Sequence, residues 1–263
     1  MKRILLLVTL ALMLAAAVAI SGVAQAAPTI DTKADAQCLA EAAKTVQQPG
    51  FNPADYTFHG GADDPSQLSD DFTGKGTLEG KDVFCGFRGP DGTVTLEAGD
   101  IFLGGADGDG VVFNYGTFYG QEGGDNVGVN YETGTYYAGE GNDHVQENYG
   151  TYYGQEGSDS VDFNHETGTV FGGADDDHVQ ENYGTFYGQE GGDNVSGNYE
   201  TGTFFGGEGD DFVQENYGTF FGGAGNDLVQ SNVASGTFDG GDGTDTVRTN
   251  DGGTLINVEE GDV

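Results

Sequence analysis

A Gly-Thr pair followed by an aromatic residue (Val170 in one copy) begins at Gly116, Gly134, Gly150, Gly168, Gly184, Gly202, Gly218 and Gly236. The steps between copies alternate 18, 16, 18, 16, 18, 16 and 18 residues. The two extra residues always fall in one place: Glu132-Thr133, Glu166-Thr167, Glu200-Thr201 and Ala234-Ser235. A repeat this short cannot bury an apolar side by itself, so it must stack on its neighbours as a solenoid. A two-residue insertion recurring at one point belongs in an outer turn, where it leaves the core undisturbed.

Between these units lies a nonapeptide, present nine times, as in GGADGDGVV from Gly104, AGEGNDHVQ from Ala138 and GGAGNDLVQ from Gly222. Two of its columns never vary. Position six is Asp109, Asp125, Asp143, Asp159, Asp177, Asp193, Asp211, Asp227 and Asp245. Position eight is Val111, Val127, Val145, Val161, Val179, Val195, Val213, Val229 and Val247. Glycines allow a tight turn with positive φ, and Val starts a short strand with its side chain inward. Coils stack about 4.8 Å apart, so neighbouring aspartates repel by roughly 3.5 kcal/mol at an effective dielectric of 20.

That repulsion meets a composition with nothing to oppose it. The net charge is −36, and after Arg88 the one remaining Lys or Arg is Arg248. Gly accounts for 49 of 263 residues, and Leu, Ile, Val and Phe are scarce, the profile of a chain that does not fold unaided. A basic nucleic-acid-binding face is excluded. A hard dication held by carboxylates and carbonyls reverses the repulsion, and oxygen ligands in a flexible turn favour Ca²⁺ over Mg²⁺. Position six holds no His or Cys, so zinc is not implied.

The nonapeptides resemble the RTX, or hemolysin-type, calcium-binding repeat GGxGxDxUx, over about residues 100–250. The resemblance implies a right-handed parallel β-roll, a β-solenoid of the all-β class. It also implies that the nine position-six aspartates clamp Ca²⁺ between adjacent coils together with glycine-turn carbonyls. The chain departs from the pattern at Gln121, Gln155 and Gln189 in position two, Asp107 and Asp175 in position four, and Ala138 in position one. The opposite half-coil, VNYETGTYY from Val129 or ENYGTFYG from Glu147, lacks the Asp. One row of Ca²⁺ along one edge is therefore expected, with the other edge free of calcium.

That other edge has an asparagine column: Asn114, Asn130, Asn148, Asn164, Asn182, Asn198, Asn216 and Asn232. Asn both donates and accepts, which suits a structural turn ladder; outward-facing binding residues are the alternative. Beside it run Tyr115, Tyr131, Tyr149, Tyr183, Tyr199 and Tyr217, with His165 as a replacement in the same column. Strand alternation puts Phe118, Tyr136, Tyr152, Val170, Phe186, Phe204, Phe220 and Phe238 inside. It puts Thr117, Thr135, Thr151, Thr169, Thr185, Thr203, Thr219 and Thr237 outside, beside Tyr119, Tyr137, Tyr153, Phe171, Tyr187, Phe205 and Phe221. Such a face is either ordinary strand chemistry or a surface for ice, a glycan or another protein. Periodic acids do not resemble a catalytic set, which is singular, and His144 and His178 lie two coils apart, too far to share one metal. No enzymatic role is expected.

Residues 1–26 carry Lys2 and Arg3, an apolar stretch over 4–20, and Ala24-Gln25-Ala26. They read as a cleaved secretory signal peptide, with a membrane anchor as the alternative; cleavage takes the charge to −38. The mature chain is then expected to be extracellular, with no later membrane span. Cys38 and Cys85 are the two cysteines, and an oxidising compartment favours a disulfide over two buried thiols. Residues 27–98 are expected to form a small mixed cap with a helix over 34–46, and residues 99–263 the repeat domain of about ten coils.

Overall fold

A computed structural model describes residues 33–46, 51–60, 81–88 and 94–258. The leader at 1–26 lies outside them. The repeats form two parallel sheets facing each other. The first has twelve strands, β1 (Thr57–Gly60) and β2 (Asp82–Arg88), followed by the even-numbered strands from β4 (Ile101–Ala106) to β22 (Thr254–Ile256). The second has ten, the odd-numbered strands from β3 (Val94–Leu96) to β21 (Thr246–Asp251). Within the repeats each coil contributes one strand to each sheet, so consecutive strands lie in different sheets; at the start of the roll β1 and β2 pair directly, in parallel. Nine coils carry the 16- and 18-residue repeats between Ile101 and Asp251, and β22 adds a last strand. The architecture is an all-β parallel solenoid.

From β4 onward register follows the repeat without a slip; in β3 it shifts between Val94 and Thr95. Thr151 pairs with Thr135 and Thr169, and Tyr152 pairs with Tyr136 and Val170. Because side chains alternate with period two, this keeps every column on one face. The core is as thin as the sequence implies: the Val column faces the column from Phe102 and Phe118 to Phe238, all nearly inaccessible. In that column the rings stack along the axis, Phe204 on Phe220 at 4.7 Å and Phe220 on Phe238 at 4.9 Å.

The repeat architecture begins earlier than residue 99. β2 pairs with β4, and β3 pairs with β5 (Gly110–Asn114), so residues of the expected cap already form a coil of the roll. What caps the structure is α1 (Lys33–Thr45). Its Cys38, Leu39 and Ala42 pack on Val83, Cys85, Ile101 and Leu103, and Cys38 is disulfide-bonded to Cys85 with Cα atoms 5.5 Å apart. Ile101 is in register with Thr117, and Leu103 with Tyr119. The outward columns are thus aliphatic where α1 covers them and switch to Thr and aromatic residues where it does not.

Candidate metal centre

Both turn edges are built on side-chain ladders that point into the roll, and the two differ by one functional group. On the first edge every Asn from Asn114 to Asn232 is fully buried. Asn148 Nδ2 donates to Asn164 Oδ1 at 2.9 Å, and Asn164 Nδ2 to Asn182 Oδ1 at 2.8 Å. The same Nδ2 of Asn164 also donates to the Thr185 carbonyl at 3.2 Å. The structural-ladder reading of this column holds. The inserted residues sit outside it as expected: the hydroxyls of Thr133, Thr167 and Thr201 donate to the carbonyls of Tyr115, Tyr149 and Tyr183.

On the second edge the position-six aspartates are buried to the same degree, none more than 4 % exposed. Each N–H donates to the Oδ1 of the next aspartate along the axis, as in Asp143 to Asp159 and Asp159 to Asp177, both 2.8 Å. The neighbours expected only to repel are therefore joined through the backbone. Oδ2 is the atom left over. For Asp125, Asp143, Asp159, Asp177, Asp193, Asp211 and Asp227 it is buried without a hydrogen-bond partner. Where the Asn edge has an amide that donates, this edge has a second carboxylate oxygen that cannot. An unsatisfied buried polar atom costs about 1–3 kcal/mol, more when charged.

The electrostatics follow. Burial, above all, drives the Asp177 and Asp211 carboxyls up to about 8 and Asp125, Asp159 and Asp193 to about 7. Asp143 and Asp227 rise to about 6, for the same leading reason. Backbone N–H donation opposes the shift in each case, and repulsion from neighbouring carboxylates adds to it at most of them. The edge is a column of carboxyls that take up protons near neutral pH, far above their ordinary range, unless something positive joins them.

The turn supplies more oxygen around Oδ2. A Cβ placed on Gly120 would meet both Asp125 Oδ2 and the Ala138 carbonyl of the next coil. The same two atom types meet at Gly154, from Asp159 and Gly172, and at Gly206, from Asp211 and Gly222. A carboxylate oxygen of one coil and a peptide carbonyl of the next thus crowd the space beside each of these position-one glycines. Among the described residues no three His, Cys, Asp or Glu side chains converge on a metal position. The donors brought together are a carboxylate oxygen of one coil and a backbone carbonyl of the next, both hard oxygen, which fits Ca²⁺.

Positions two and four shape this turn. Both adopt positive φ in every coil, including Gln121 (84°), Gln155 (84°), Gln189 (88°), Asp107 (79°) and Asp175 (71°). The departures from glycine therefore keep the turn's conformation and carry its strain.

The Thr column lies half-buried on the outer face of the first sheet, as expected from alternation. Beside it the rings from Tyr119 to Phe221 stack face to face at 4.8–5.0 Å, within 9° of parallel. Their faces cover one another, so a ligand meets ring edges and hydroxyls. On the opposite sheet His144 is not simply solvated: Nδ1 lies 3.0 Å from Ser160 Oγ and Nε2 3.5 Å from Asp162 Oδ2. Burial lowers the His178 pKa, two coils further on. This contact depends on strand register and is invisible as a sequence motif.

No protein-family model matches the chain, and no curated protein does. One solved structure is similar: that of a hyperactive, Ca²⁺-dependent, β-helical antifreeze protein from an Antarctic bacterium. The similarity is 23 % identity over 70 % of this chain and 77 % of that one, with a TM-score of 0.45.

Proposed function

We propose that this chain is a calcium-binding repeat protein of the RTX type, secreted through its leader, whose roll forms when Ca²⁺ binds and which serves a structural or adhesive role. One observation carries this reading: the Asn edge closes its hydrogen bonds internally, and the Asp edge leaves a column of buried Oδ2 atoms beside carbonyls of the next coil. A dication there satisfies the orphaned oxygens and cancels their charge, and it binds the folded state alone. Ligand at 100 times its dissociation constant stabilises a fold by about 2.7 kcal/mol per site. Circular dichroism in EDTA, followed by titration with CaCl₂, tests the proposal. At about pH 8.5, above the folded values of the ladder carboxyls, the expected result is a largely unordered spectrum that becomes β-rich with Ca²⁺; an unchanged β spectrum in EDTA at that pH rules it out.

A second reading is favoured by the in-register Thr column, which runs unbroken from Thr117 to Thr237. Such a row is a regular surface for ice or a glycan. The Thr151→Lys/Thr185→Lys variant separates the two: it should lose ice-recrystallisation inhibition or glycan binding while its calcium response survives. Retention of the binding in this variant removes the second reading.

A further inference from the structure

Three departures from the repeat fall on two adjacent rungs of the aspartate ladder. The inward column of the first sheet is Phe or Val in most repeats, but β8 (Thr135–Glu140) and β10 (Thr151–Glu156) carry Tyr136 and Tyr152. Both are fully buried, and neither hydroxyl makes a hydrogen bond of good geometry. The charges acting on Tyr136 are those of Asp143, Asp125, Asp159 and Asp109; those acting on Tyr152 include Asp159, Asp143 and Asp177. Tyr152 also stands close enough to Asp159 to favour its ionised form. The two buried phenols thus lie against the ladder, Tyr136 chiefly beside Asp143 and Tyr152 chiefly beside Asp159. Tyr152 is turned 29° from Tyr136, against 5–12° for the Phe stacks of this column. The third departure is Ala138, a fully buried residue at position one, where the other eight copies have Gly. At Gly120 and Gly154, in the coils on either side, a Cβ at this position would run into the ladder Oδ2 and a carbonyl of the next coil.

We propose that the row of cations is interrupted at Asp143 and Asp159, where the buried Tyr136 and Tyr152 hydroxyls stand as donors beside the ladder carboxylates and the Ala138 methyl occupies the space beside the Asp143 Oδ2. This rests on the calcium reading above and refines it. The phenol O–H is the donor that the Asp edge otherwise lacks and the Asn edge has in its amide. A carboxylate that accepts from a neutral donor loses both charge density and a lone pair for a metal. Ca²⁺ needs six to eight oxygens, and a methyl at the mouth of the site takes the place of one approach. The row becomes two runs, one through Asp109 and Asp125 and a longer one from Asp177 onward. The coils of β8 and β10 close between them without an ion.

Calcium stoichiometry, measured by calorimetry and by equilibrium dialysis on the full chain, tests this. The Ala138→Gly/Tyr136→Phe/Tyr152→Phe variant restores the common pattern and should bind at least one Ca²⁺ more per chain than the unaltered protein. Ala138→Gly and Tyr136→Phe alone, each a milder change, should shift the weakest site to tighter binding. Unchanged stoichiometry and affinity in all three variants overturn the interruption and leave the calcium reading standing. A loss of sites in the Tyr variants overturns it too, since the hydroxyls would then be ligands. An unaltered protein that binds no Ca²⁺ at all defeats the calcium reading itself, and this inference with it.

Discussion

The Asp177 N–H donates to Oδ1 of Asp193 at 2.8 Å, across one coil of the roll. The bond fixes the carboxylate under the turn and aims its other oxygen, buried and unpartnered, into the turn interior. Asp177 is bonded in the same way by the N–H of Asp159. Each aspartate is thus donor through its backbone and acceptor through its side chain, so the ladder is cooperative along its length.

The metal-free roll should be more stable in acid. The ladder carboxyls have folded pKa values between about 6 and about 8, above the ordinary 3.8. A raised folded pKa means that the folded state binds protons more tightly than the unfolded chain. The stability involved is fully present below the unfolded pKa and is lost as pH rises through the folded values. In EDTA, the melting temperature should fall steadily between about pH 5 and about pH 8.5. In saturating Ca²⁺, where the cation takes the place of the protons, that fall should largely disappear. An EDTA melting temperature that rises with pH contradicts the ladder electrostatics.

Asp177→Asn should convert one rung to the chemistry of the opposite edge. The amide keeps an acceptor for the Asp159 N–H and removes the charge that burial disfavours. At neutral pH in EDTA the variant should gain about 1–3 kcal/mol, the cost of an unsatisfied buried polar group. Its calcium affinity should fall, because one carboxylate oxygen is gone. Chemical denaturation with and without Ca²⁺ reads both effects; a loss of stability in EDTA contradicts the prediction.

The repeat made the two-sheet roll, the inward columns and the Asn ladder legible, because each is a direct consequence of period and alternation. Thr151 and Tyr152 could be assigned to opposite faces from their places in the tripeptide alone. The start of the roll was not legible. β2 contains no nonapeptide, and its Val83 and Cys85 differ from later columns because α1 covers them. The bond from each aspartate N–H to the next Oδ1 was also hidden, since a residue pattern shows charges facing each other but not which oxygen the backbone takes. Tyr136, Tyr152 and Ala138 were visible as substitutions in their columns. Only the packing shows that they meet two adjacent rungs, Asp143 and Asp159.

Asn164→Ala should weaken the roll by the same amount with or without Ca²⁺. The side chain accepts from Asn148 and donates to Asn182 and to the Thr185 carbonyl. Its loss leaves partners of both kinds buried and unmet, at about 1–3 kcal/mol each before relaxation. Denaturant midpoints in EDTA at about pH 5, where protonation holds the metal-free roll, and in Ca²⁺ should shift together, because this edge takes no part in cation binding. A calcium-dependent difference in the shift would show that the two edges are coupled.

Reduction of the Cys38–Cys85 bond should act locally. The bridge spans 47 residues, a loop whose closure constrains the unfolded chain by roughly 3–4 kcal/mol. Its partners are α1 and the first strands, whereas the aspartate ladder begins at Asp109. Hydrogen exchange after reduction should accelerate in α1 and β2 and leave the coils beyond Thr151 protected. Uniform loss of protection along the roll would contradict this.

Positions two of alternate coils should not tolerate the same change, although they share a column and a sign of φ. Gly173 has φ of 125°, and a Cβ there would meet the backbone O, N and C of Gln155 in the preceding coil. Gln155 itself already holds φ of 84° with a side chain in place, which costs an L-residue about 1–2 kcal/mol. Gly173→Ala therefore combines strain with a backbone collision that neither coil can relieve without separating. It should destabilise the calcium-loaded roll by about 3 kcal/mol or more, the upper end of single-site backbone effects. Gln155→Gly relieves strain and adds freedom to the unfolded chain; these oppose each other, so the net change should stay within about 1 kcal/mol. Thermal unfolding of the two variants in Ca²⁺ compares them directly. Equal losses would mean that the turns of successive coils are interchangeable, contrary to the alternation of Gln and Gly in this column.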